Sequence, residues 1–61
     1  MNDFITRRNQ VETAARDIAG ILNRNGVWLA ADAPQVIRDI ASFTITAPSG
    51  EQFTVAVSPV R

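Results

Sequence analysis

The chain has 61 residues, six cations (all Arg) balanced by six acids, and neither Cys nor His. These counts exclude disulfides, thiolate metal sites and histidine-based catalysis, and leave one small apolar core to hold a single domain, 1–61. A net charge of zero also lacks the basic footprint of a nucleic-acid binder.

Asp3 is suited to cap a helix, its carboxylate accepting from the orphan amides of the first turn. At 100° per residue, Val11, Ala15, Ile18 and Leu22 fall within about 40° of Phe4. Ala14, Ala19 and Ile21 widen this into a core-facing stripe, with Thr6, Gln10, Thr13, Asp17, Gly20 and Arg24 opposite. Asn25-Gly26 supplies the stop, Gly26 taking the left-handed conformation that ends helices. Val27-Trp28-Leu29 then reads as a short strand. Asp32-Ala33-Pro34 resembles a helix start, Asp32 capping and Pro34 in the first turn. Val36, Ile37, Ile40 and Ala41 keep helical spacing, which predicts a second helix over 34–41; the competing reading extends the following strand backwards.

Residues 42–58 spell a hairpin. Phe43, Ile45 and Ala47 alternate with Ser42, Thr44 and Thr46; after Pro48-Ser49-Gly50, Phe53, Val55 and Val57 alternate with Gln52, Thr54, Ala56 and Ser58. The expected architecture is α+β in the order α-β-α-β-β: a long N-terminal helix and a short second helix packed on a small antiparallel sheet dominated by the C-terminal hairpin. Phe53 belongs to the expected core, where truncation to Ala costs several kcal/mol. Trp28 is expected to close one end.

Chemistry is scarce. Glu12 and Asp17 lie about 140° apart on the helix and do not converge. Asp32 and Glu51 are better used as cap and turn residues, and no serine has a His, Cys or Lys to activate it. No enzyme activity, cofactor or metal is expected. No apolar run approaches the ~18 residues of a membrane span, and Asp3, Arg7 and Arg8 occupy the stretch a signal peptide keeps apolar. A soluble cytoplasmic protein is expected.

What remains is surface. Arg7 and Arg8 oppose the positive end of the helix dipole, a local cost that marks either a contact surface or an Arg8–Glu12 pair along the helix. Thr44, Thr46 and Thr54 form a flat polar face, and neither hairpin strand carries the charge that commonly blocks edge pairing. With Trp28, these are the candidate partner-binding residues. The expected function is a small non-enzymatic protein-binding module, an accessory or inhibitory factor occluding a larger protein partner; a phage-type anti-defence protein is an example of the kind. The alternatives are a structural homo-oligomer such as a homodimer, and a weak nucleic-acid binder using Arg7, Arg8, Arg16 and Arg24.

Overall fold

The computed structural model describes residues 3–31 and 33–60. Helix α1 (Asp3–Asn25) is followed by strands β1 (Leu29–Ala30), β2 (Gln35–Ile37), β3 (Ile40–Thr46) and β4 (Gln52–Val57). The helix begins at Asp3, so that residue sits inside the first turn, where its charge still favours the amide end of the dipole. Gly26 ends it at φ +80°, and its N–H donates back to the Asn23 carbonyl at 3.3 Å. A left-handed residue here is what stops the helix.

All four strands form one antiparallel sheet around β3. β4 pairs along one edge of β3 from Ala41↔Val57 to Thr46↔Gln52. β1 and β2 share the other edge, pairing Leu29↔Thr46, Ala30↔Ile45 and then Gln35↔Ser42 to Ile37↔Ile40. Together they make one interrupted strand. The paired positions total 75 through β1 and 77 through β2, so two extra residues are looped out around Pro34.

The hairpin forms as its sequence predicts. The Gly50 N–H donates to the Ala47 carbonyl at 2.9 Å, the Ala47 N–H to the Glu51 carbonyl at 2.8 Å, and Gly50 lies at φ +91°. This is a three-residue loop closed by a left-handed glycine, a common hairpin connection. The strand expected at 27–29 forms two residues later than its start, at Leu29–Ala30.

The expected second helix over 34–41 is absent. Val36, Ile37 and Ile40 are β-branched and stiff in helices, and so short a helix is marginal on its own. Gln35–Ile37 instead folds back on Ile40–Ser42 through the two-residue turn Arg38-Asp39. This turn gives the extended first hairpin strand a partner, and β4 also reaches it at Ala41 and Ser42. Pro34 precedes β2 in a buried position, at an edge-strand start where its missing N–H breaks no ladder. Asp32, expected as that helix's cap, lies outside the described residues.

Alternation assigns the two faces of the sheet. Ala41, Phe43 and Ile45 with Val57, Val55 and Phe53 face α1, joined by Val36 and Ala30. Val11, Ala15 and Ala19 meet them from the helix. Ala15 and Ala41 are fully buried, so helix and sheet touch through small side chains, with Phe43 as the large anchor. Phe53 retains 43% of its surface, its ring meeting Trp28 edge to face at 6.0 Å and 74°. Trp28 thus packs on Phe53, and Phe53 is a rim residue rather than a centre.

Two outcomes follow. Phe43→Ala is expected to cost about 3–5 kcal/mol, enough to remove the cooperative urea transition of so small a domain, while Phe53→Ala costs about 1–2 kcal/mol, as half-burial implies. Arg38 has φ 56°, a conformation that penalises residues bearing a Cβ by about 1 kcal/mol. Arg38→Gly should therefore melt higher than Arg38→Ala, the reverse of the order seen in ordinary strands and helices.

Candidate interaction surfaces

The side of the sheet away from α1 is uncovered. Leu29, Gln35, Ile37, Ile40, Ser42, Thr44, Thr46, Gln52, Thr54 and Ala56 lie on it by register. None of them carries charge. Thr44 and Thr54 are directly opposed, and since Ala47 and Glu51 are a hydrogen-bonded pair, alternation makes 44/54 the closer, non-bonded kind. Leu29 is 66% exposed at one end, with Ile37 at 60% and Ile40 at 43% flanking the β2–β3 turn at the other. The interruption between β1 and β2 leaves a depression of ≈ 250 Å³ bordered by Ala31, Gln35, Ser42, Thr44 and Thr54.

Of the residues singled out in the sequence, the structure brings Thr44, Thr46 and Thr54 together on this face. Arg7, Arg8 and Trp28 are not part of it. Arg7 is exposed on the helix, lining an open cleft of ≈ 660 Å³ with Phe4, Arg38, Asp39 and Pro59. Asp39 is buried beside that cleft. Arg8 is half-buried, its Nε enclosed without a hydrogen-bond partner among the described residues. The alternative of an Arg8–Glu12 pair is not realised: Glu12 Oε2 accepts from Arg16 at 2.8 Å. Trp28 is half-buried against Phe53.

The exposed residues missed in the sequence are Leu29, Ile37 and Ile40. Ile37 and Ile40 share a face only because the Arg38-Asp39 turn pairs them, and an unbroken period of two over 35–41 would have put them on opposite faces.

The two sheet edges are unequal. On the β1 edge, Asn23 of α1 acts as an extra rung, its Oδ1 accepting from the Ala30 N–H at 2.8 Å and its Nδ2 donating to the Ala30 carbonyl at 3.4 Å. Further along, the loop around Pro34 and the short β2 interrupt that edge, both common guards against strand addition. β4 is six uninterrupted residues, QFTVAV, with no Pro, Gly or charge. Its outer amides have no partner strand among the described residues.

Among the described residues there is no cluster of three or more His, Asp or Glu placed to hold a metal, and no helix is long and apolar enough to cross a membrane. The chain matches no protein-family model, no curated protein and no solved structure.

Asn23→Ala should destabilise the domain by about 1 kcal/mol in urea unfolding, by removing both bonds to Ala30. Asn23→Asp keeps the acceptor for the Ala30 N–H and should lose less.

Proposed function

We propose that the protein is a non-enzymatic binding module that lays its uncovered sheet face on a larger protein, as an accessory or inhibitory factor acting by occlusion. The observation that supports this reading is the character of that face: no charged side chain, a Ser/Thr/Gln centre, and exposed Leu29, Ile37 and Ile40 at its ends. Depletion of charge at the centre, not bulk hydrophobicity, distinguishes protein interfaces from other surface. Thr and Ile side chains on a paired strand are already restricted at χ1, so docking them loses little further entropy. The face suits a flat, uncharged partner surface, with the depression at Thr44 accepting one protruding side chain.

The helix offers less to a partner. Its arginines are dispersed, with Arg16 engaged by Glu12 and Arg8 half-buried. Arg7 and Arg16 project about 180° apart, so no basic stripe forms.

Site-specific photo-cross-linking in the native host tests the reading. A photo-reactive amino acid at Thr44 should give one adduct of defined mass, and the same probe at Arg16 none. Ile37→Asp with Ile40→Lys, opposite charges on directly paired positions, should abolish the Thr44 adduct while leaving the thermal midpoint within a few degrees. Absence of any adduct at Thr44, or equal labelling from both positions, would refute the reading.

A further inference from the structure

We infer that β4 is a dimer seam, along which a second copy of this chain adds its own β4 antiparallel about a two-fold axis at Thr54, making one continuous sheet. The seam is the backbone edge of β4, which adjoins the uncovered face of the proposed function and shares Gln52, Thr54 and Ala56 with it, and it does not rest on that reading.

The geometry of the ladder selects the register. Ala47 and Glu51 are a hydrogen-bonded pair, so Phe53, Val55 and Val57 direct their backbone groups to β3, while Gln52, Thr54 and Ala56 direct theirs outward. Pairing Thr54 with its own copy, and Gln52 with Ala56 of the other, satisfies the amides and carbonyls of all three residues. Shifting the pairing by two leaves one of them against a turn or beyond the strand end. In the Thr54 register Phe53 of one copy lies opposite Val55 of the other on the helix side, an aromatic–β-branched pair of the kind that stabilises sheets. The pattern is self-complementary, as a two-fold interface requires.

The helix is also unfinished on this side. Asn23 leans over β1 to reach Ala30, which places the opposite flank of α1, with Ala14, Ile18 and Ile21, over β4. Ile21 on that flank is 57% exposed, and Phe53 of β4 keeps 43% of its surface. Both copies bring this flank to the same side of the joined sheet, over one doubled apolar strip.

The exposed area indicates a second copy. The chain exposes 4511 Å², about 600 Å² more than the roughly 3,900 Å² expected of a folded monomer of its mass. A standard interface buries about 800 Å² per partner, so one two-fold contact removes an excess of this size. Zero net charge leaves no global repulsion between copies.

Charge pairs placed on the outward positions test both the seam and its register. In sedimentation at micromolar concentration the wild type should run at twice the 6.6 kDa chain mass. Gln52→Lys with Ala56→Lys, and separately Gln52→Glu with Ala56→Glu, should each weaken the dimer at least tenfold, because like charges then face each other across the seam. Gln52→Lys with Ala56→Glu should restore it, each new cation facing a new anion. These side chains point away from the core, and circular dichroism melts should show all three variants folded. A monomeric wild type, a dimer indifferent to all three variants, or failure of the mixed pair to restore association would each overturn the seam.

Discussion

The structure depends on one small cluster: Ala15 of the helix and Ala41 of the central strand, both with no exposed surface, buried together with Val11, Ala19 and Phe43. Three of its five members are alanines, so α1 and β3 meet largely through small side chains, with Phe43 as the one large residue. The consequence is a thin core. No large side chain is completely buried among the described residues, because one helix cannot shelter both margins of the sheet beneath it. Leu22, Ile45, Val55 and Val57 are half-covered at those margins. A chain of this length buries only about 60% of its unfolded surface in any case, and spreading the sheet under a single helix spends that burial on width.

This constraint explains the asymmetry of the edges. On the β1 side the helix supplies polar closure, Asn23 mimicking a strand amide toward Ala30. Burial there can remain incomplete because hydrogen bonding is not. On the β4 side neither closure is present. Phe53 and Ile21 stay half-exposed, and the outward amides of Gln52, Thr54 and Ala56 have no partner strand among the described residues. An apolar margin and an unpaired strand in the same place favour one remedy, another strand, which supplies hydrogen bonds and burial together.

The C-terminal hairpin was legible because its turn carries chemistry. Gly50 is needed at φ +91°, and the flanking alternation leaves one choice of inner face. Helix α1 was legible through its stripe and the Gly26 stop. Residues 34–41 were not, since Val36, Ile37, Ile40 and Ala41 satisfy the helical period and also the pairing of a strand folded on itself. What separates the two is the turn, and it is built from Arg38 at φ 56°, a residue with no preference for that conformation. The local cost at Arg38 is offset by pairing, a tertiary gain that no window of sequence displays. The candidate surface divides the same way. Thr44, Thr46 and Thr54 were visible as the polar half of the hairpin, whereas Ile37 and Ile40 depended on the hidden turn.

Removing charge from a surface has opposite effects on solubility and on association, and this chain carries its charge away from the sheet. Every charged residue among the described ones lies on α1, at Arg38-Asp39 or at Glu51, outside the strands. Charge on the helix keeps that side solvated, with Arg16 and Glu12 paired there at little net gain in stability. The sheet face and its β4 edge then have nothing to desolvate except hydroxyls, amides and alkyl groups. A surface so composed loses little on burial against a matching partner, and its neutral backbone edge is self-complementary. The same distribution of charge therefore underlies both proposals, the face and the edge, and keeps the charged groups of the helix in water.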